Sequence, residues 1–190
     1  MVGRHADVPG FLLKKYSSSV SVNECKNYDA RVEGAERVRA FVADRGLRHV
    51  VVPNKWILDL PSDHGRCEHV LLVEQLDLVN VNEIGDRYRT IAGEILDELC
   101  LVLFHFRGLD SIIDNVPFTT GGKLAFIDTE HWYGGRRRPY LRYLRRHLSS
   151  ENRRRAKKLF RQFARDSRDN AADPGVAAYE DDISVSALST

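Results

Sequence analysis

Apolar positions set the first boundaries along the chain. Between Asn27 and Arg45 they recur at Val32, Ala35, Val38, Phe41 and Val42, a spacing of three and four that predicts a helix. Gly46 follows as a stop signal. A second stripe, Ile91, Ile95, Leu99, Val102 and Phe106, predicts one long helix over 84–106. Strands are expected over 10–16, opened by Pro9-Gly10 and broken by Ser17 to Ser19, and over 69–74. Another runs from His49 through Val52-Pro53 and on past Asn54 and Lys55 into Trp56-Ile57-Leu58. Residues 61–65 read as a polar turn. Two short strands, 115–118 and 124–127, are joined by Thr119-Thr120-Gly121-Gly122-Lys123 as a hairpin whose glycines supply positive φ. Basic helices follow around 140–147 and 151–164. From residue 166 the chain is polar and carries Pro174, Gly175 and Glu180-Asp181-Asp182, the composition of a disordered tail over 166–190. Strands with one helix, then a mainly helical half, predict an α+β protein of two lobes.

The 190 residues are enough for one domain plus a tail. With 43% apolar and 29% charged residues, the composition excludes collagen-like, low-complexity and disulfide-scaffold classes. The charge is unevenly placed. Residues 136–161 hold twelve arginines and lysines opposed by Glu151 alone, a local +11 in a chain of net +2, so the remainder carries −9. Such a segment is expected to meet a polyanion or an acidic partner. Cys25, Cys67 and Cys100 are odd in number and far apart, which fits reduced thiols and no zinc site. Residues 1–10 have no apolar core, so no classical signal peptide is expected, and no apolar run is long enough to span a bilayer. The expected location is the cytoplasm, or outside the cell without a classical signal peptide.

Three polar residues carry the candidate chemistry. Asp110 follows the long helix, Asn115 opens the hairpin five residues on, and Asp128 closes it. A tight hairpin brings its two ends together, so Asn115 and Asp128 are expected to be neighbours whose oxygens suit a hard cation such as Mg²⁺. Asp110 beside them can orient a nucleophile or accept its proton. Asp and Asn also close turns for purely structural reasons.

Gly108-Leu109-Asp110-Ser111-Ile112-Ile113-Asp114-Asn115, followed by Phe126-Ile127-Asp128-Thr129-Glu130, resembles the catalytic core of the protein-kinase-like superfamily. The resemblance covers roughly residues 10–135 and is closer to atypical or minimal bacterial kinase-like proteins than to ordinary protein kinases. Gly108-Leu109 stands where His-Arg is usual, Asp128-Thr129-Glu130 replaces Asp-Phe-Gly, and no glycine-rich phosphate loop is expected before Gly10.

The resemblance implies a two-lobed fold with a truncated N-lobe sheet and a reduced helical C-lobe. The domain would span 1–165, with the N-lobe and hinge at about 10–76 and the C-lobe at 77–165. It implies ATP and Mg as cofactors, with Asp110 catalytic and Asn115 and Asp128 on the metal. It also implies Glu74 and Leu76 in a hinge behind Val73, and Lys14 on the α and β phosphates. Lys14 is preferred over Lys15 because it shares a strand face with Leu12. Glu36 is expected to be its helix partner, because Val32 and Ala40 flank it at four-residue spacing, while Glu33 faces Arg37 and water. The implied activity is transfer of the ATP γ-phosphate to a hydroxyl of a protein or small molecule. The alternatives are a pseudokinase-like binding module with a basic helical surface, and a basic nucleic-acid-binding protein.

Overall fold

The computed structural model describes residues 2–4, 7–15, 25–60, 68–130 and 143–171. In chain order these form β1 (Val2–Gly3), β2 (Phe11–Lys14), α1 (Cys25–Asp44), β3 (Val50–Val51), β4 (Lys55–Leu60), β5 (Glu68–Glu74), α2 (Val81–Arg89), α3 (Gly93–His105), β6 (Leu124–Ala125) and α4 (Ser150–Ala171). The chain is an α+β protein. Among the described residues no helix is long and apolar enough to cross a membrane.

Alternation along the strands decides what faces what. The main sheet has the order β1-β2-β5-β4, antiparallel throughout. Leu12 and Lys55 both lie opposite Val73, and Lys14 and Ile57 both lie opposite Leu71. Cross-strand partners share a face, so these six side chains form one side of the sheet. Helix α1 covers that side: Tyr28, Leu71 and Val73 are buried together, with Leu12, Val32 and Ile57 packed against them.

A larger interior joins the second half of α1 (Ala35, Val38, Phe41) to α2 (Ile84, Tyr88), α3 (Leu96, Leu99, Val102, Leu103), the hairpin (Val116, Phe118, Leu124, Phe126) and α4 (Ala156). Burying each large side chain there contributes about 1.5–3 kcal/mol. Arg39 of α1 donates to the Pro53 carbonyl at 3.0 Å, and Glu98 of α3 accepts from the His49 backbone N–H at 2.7 Å and from its Nδ1 at 2.9 Å.

Three sequence expectations are corrected. The helix over 84–106 is two helices, α2 and α3, separated at 90–92. Asn80 caps the first by accepting the Asn82 N–H, and Thr90 ends it by turning its hydroxyl onto the Asp86 carbonyl at 3.1 Å. The stripe from Ile91 to Phe106 belongs to the second helix and its ends. The single strand over 49–58 is two strands in different sheets: β3 pairs in parallel with β6, while β4 joins the main sheet. Pro53 lies between them and has no N–H to donate to a ladder. Of the two basic helices, residues 144–146 make only a short 3-10 turn, whereas α4 continues to Ala171, past the expected end at 164. Arg136, Arg137, Arg138 and Arg142, the residues beyond 171, His131 and Trp132 lie outside the described residues.

Candidate functional site

Two lysines reach the covered face of the sheet. Lys55 of β4 is only 4% exposed. Its Nζ donates to Thr129 Oγ1 at 2.9 Å, and Thr129 Oγ1 donates to the Arg31 carbonyl of α1 at 3.0 Å. Burial pulls the Lys55 ammonium down to about 7; the field of Asp128 opposes that shift, and Lys14 and Arg31 reinforce it. Lys14 of β2 is lowered in the same way, by burial first and Arg31 second, against Asp128 and Glu130. Arg31 pairs with Glu130, its Nε donating to Oε2 at 2.6 Å and its Nη2 contacting the same oxygen.

Three cations, Lys14, Arg31 and Lys55, thus surround two carboxylates, Asp128 and Glu130. Asp128 Oδ1 is buried and has no hydrogen-bond partner among the described residues. Buried acceptors without donors are rare in native proteins, and this one is open to a further donor or ligand.

The hairpin delivers Asp128 to this cluster. Its rungs run from Thr119 N–H to the Lys123 carbonyl (2.7 Å), Ala125 N–H to Pro117 (2.8 Å) and Ile127 N–H to Asn115 (3.1 Å). The last rung places Asn115 across from Ile127, one residue before Asp128, as hairpin closure requires. Of the two turn glycines only Gly122 takes positive φ, at 82°. Tyr88 of α2 pins the first strand: its buried hydroxyl donates to the Val116 carbonyl at 2.6 Å, and its ring meets Phe118 edge-on at 5.0 Å.

Asp110 is half-buried between buried Leu109 and Ser111. Its Oδ1 accepts the Ile112 N–H at 3.2 Å, and the following turn closes with the Asn115 N–H on the Ile112 carbonyl at 2.9 Å. Asp110 and Asn115 therefore belong to one continuous loop, with Asn115 joined by its backbone to the strand that ends at Asp128.

The remaining expected residues divide. Lys14 is turned inward and Lys15 outward. Glu36 is exposed, which corrects its expected pairing with Lys14. The inward stripe of α1 is Tyr28, Arg31, Ala35, Val38 and Val42, and Glu36 sits one residue, about 100°, around the helix from it. The carboxylates that act on Lys14 come instead from Asp128 and Glu130. Glu33 is exposed and faces Arg37 at 3.5 Å, as its spacing requires.

Glu74 ends β5 and uses its side chain to accept from the Asn54 backbone N–H at 3.0 Å and from its amide at 2.8 Å. Leu76 is half-buried, and among the described residues its N–H meets no backbone acceptor. The chain after it lies along the hairpin, with Val79 N–H on the Phe118 carbonyl (2.9 Å) and Thr120 N–H on Asp77 (2.8 Å).

Sequence reasoning missed Lys55, Arg31, Thr129 and Tyr88. Lys55 left one trace: in Lys55-Trp56-Ile57 it has the parity of Ile57 and not of Trp56, which is 43% exposed.

The orphaned Asp128 Oδ1 is an oxygen of the type a hard cation takes, and Asn115 is brought to the same end of the hairpin by its backbone rung to Ile127. Among the described residues no group of three or more His, Cys, Asp and Glu side chains gathers as a metal cage. Cys100 is buried in α3, its thiol pushed up to about 12 by desolvation, which makes it a packing residue. No protein-family model matches this chain, and no curated protein matches it.

Proposed function

We propose that this chain is a kinase-like phosphotransferase that binds ATP with Mg²⁺ and moves the γ-phosphate to a hydroxyl. The observation that carries the reading is the meeting of Lys14, Lys55 and Asp128 at the end of a hairpin whose other end is Asn115. Further support comes from the strand order β2-β5-β4 with α1 laid across it, which agrees with a small kinase-like lobe, and from α2 and α3 following a short connection. The Leu76 N–H is then the donor toward the base of the nucleotide.

In this reading Lys14 neutralises phosphate charge. Asn115 and Asp128 would hold the divalent cation, which would supply further neutralisation of the phosphate oxygens. The acceptor oxygen bonds to the γ-phosphorus, the bond from that phosphorus to the bridging oxygen breaks, ADP leaves with the electron pair, and the acceptor proton passes to the Asp110 carboxylate. Such transfers need little covalent help, so placement and charge carry the rate. Glu130 takes the part of counter-charge to Lys14 that a helix glutamate would otherwise fill, and α1 contributes Arg31 to hold Glu130 in place.

A second reading, nucleotide binding without transfer, is favoured by one contact. The Asp110 carboxylate is already engaged by the Ile112 N–H in its own turn.

Thermal unfolding with ATP tests both. A ligand at a hundredfold excess over Kd adds about 2.7 kcal/mol, roughly 5–10 °C in Tm for a chain of this size. A Mg²⁺-dependent rise is expected, together with labelled phosphate appearing on an acceptor or in water. A rise without transfer selects the second reading, and no rise at millimolar ATP ends both.

A further inference from the structure

Helix α4 carries its charge on one side. Phe160 and Phe163 pack on Phe104 of α3 at 6.0 and 5.5 Å between ring centres, and Ala156 is fully buried beneath them. On the opposite side Arg154, Lys157, Lys158, Arg161, Arg165 and Arg168 are all exposed and line one shallow hollow. At 100° per residue these six fall within an arc of about 100°, and at 1.5 Å per residue they span about 21 Å, a mean axial separation of about 4.2 Å between charges. Asp166 lies outside the arc.

The neighbouring arginines are spent elsewhere. Arg153 donates to the Leu148 carbonyl at 2.9 Å, and Arg155 grips Asp97 of α3 with two bonds of 2.6 Å. Arg155 thus fastens α4 to α3, while the six face outward, Arg154 and Arg168 each also donating to a carbonyl of their own helix, Ser150 at 3.3 Å and Ala164 at 3.1 Å. Like charges at i and i+4, as in Arg154–Lys158, Lys157–Arg161 and Arg161–Arg165, oppose helix formation. The row is thus no aid to folding of the helix.

We infer that this row docks the phosphate backbone of a nucleic acid, reading charge and not base sequence. Its charge density, about one per 4.2 Å, is of the same order as the one phosphate per ~3.4 Å of duplex axis that a single strand presents. Four of the six residues are arginines, whose planar fork suits phosphate oxygens. A lipid surface fits less well, because the apolar side of α4 is turned onto α3 and no apolar row remains to enter a bilayer. An acidic protein would have to gather about six carboxylates over about 21 Å to match the row, whereas every nucleotide brings its own phosphate. This inference stands apart from the nucleotide reading and uses none of its residues.

The test is fluorescence anisotropy of the full chain with a labelled 20-base-pair duplex across 50–250 mM NaCl. Four to six phosphates neutralised give a slope of log K against log salt of about −3.6 to −5.4. Arg161→Glu with Arg165→Glu is expected to weaken binding at least tenfold and to bring the slope about 2 closer to zero. The milder Lys157→Ala with Lys158→Ala is expected to lose less in the same direction. Far-UV circular dichroism should stay at the parent value and Tm should not fall in either pair, and Arg48→Glu, an exposed arginine outside α4, should bind as the parent does. Binding that ignores salt, or that survives both double substitutions, overturns the inference. So does competition by polyglutamate of equal charge as effective as by duplex, which assigns the face to an acidic protein. Binding to phosphatidylserine vesicles without binding to duplex likewise overturns it, in favour of a lipid surface.

Discussion

Lys55 is a buried ammonium whose only hydrogen bond among the described residues is to a hydroxyl, with no carboxylate among them in ion-pair contact with it. Its folded value of about 7 lies below the ordinary 10.5. Between those values the unfolded chain binds more protons than the folded one, so stability rises with pH across roughly pH 7 to 10.5 and is lowest below it. One such group gives a slope of up to about 1.4 kcal/mol per pH unit, and Lys14 shifts the same way. Urea unfolding from pH 7 to 9.5 is expected to show this rise, and Lys55→Met to flatten much of it while raising stability at pH 7. A profile unchanged by Lys55→Met would mean that the ammonium keeps its water. Arg31 and Glu130 make the complementary case, a pair 12% and 19% exposed. Arg31→Glu sets two carboxylates together and is expected to cost about 3 kcal/mol. Adding Glu130→Arg should recover about 1–3 kcal/mol of coupling, and a double variant no better than the single one would show the pair to be incidental. Neither Arg31 nor Lys55 stands out in the sequence. A charged residue reads as solvated until its partner, 99 residues away for Arg31, is known.

At the scale of elements, legibility followed locality. The β2 strand, α1, β5 and the 115–127 hairpin are written in patterns of a few residues: alternation, a three-four repeat, a Gly-Gly turn. The break between α2 and α3 depends on Thr90 turning back on Asp86, a competition between side chain and backbone that periodicity does not register. The split between β3 and β4 depends on which partner each strand finds, and β6 is more than 70 residues away. Helix α1 shows how small an error moves a candidate. Taking Val32 and Ala40 as its inward edge brings Glu36 inside, whereas Ala40 is exposed and the true stripe runs through Ala35 and Val38. The hairpin turn can be tested directly. Gly122 has φ 82°, and a Cβ there meets nothing within 4 Å, so the only penalty for Gly122→Ala is conformational. It is expected to cost about 1 kcal/mol in denaturant unfolding. Gly121→Ala, at a residue without positive φ, should cost less; equal costs would mean that the turn does not depend on the left-handed residue.

Across the whole molecule, the segment around Asp128 is fastened from several directions. Lys55 of the sheet reaches Thr129, Arg31 of α1 holds Glu130, and Tyr88 of α2 fixes the hairpin one residue after Asn115. The pattern Asp110, Asn115, Asp128 was legible because its members are close in sequence. The basic cluster around Asp128 was not, because it is assembled from β2, α1 and β4. A site held this firmly lets two substitutions of the same kind be compared without a change of fold. Asp128→Asn removes the charge at the orphaned oxygen and leaves the side chain's shape. It is expected to weaken Mg²⁺-dependent ATP binding while leaving metal-free binding nearly unchanged. Because it also removes the field that favours the Lys55 ammonium, the rise of stability with pH should begin at a lower pH. Asp110→Asn keeps an oxygen for the Ile112 N–H and lies on the acceptor side of the proposed chemistry. It should bind ATP as the parent does and lose 10²–10⁴-fold in transfer, the usual worth of an acid–base group. If instead Asp110→Asn transfers phosphate at the parent rate, the carboxylate serves only its turn. If Asp128→Asn binds ATP and Mg²⁺ unchanged, the metal is held elsewhere.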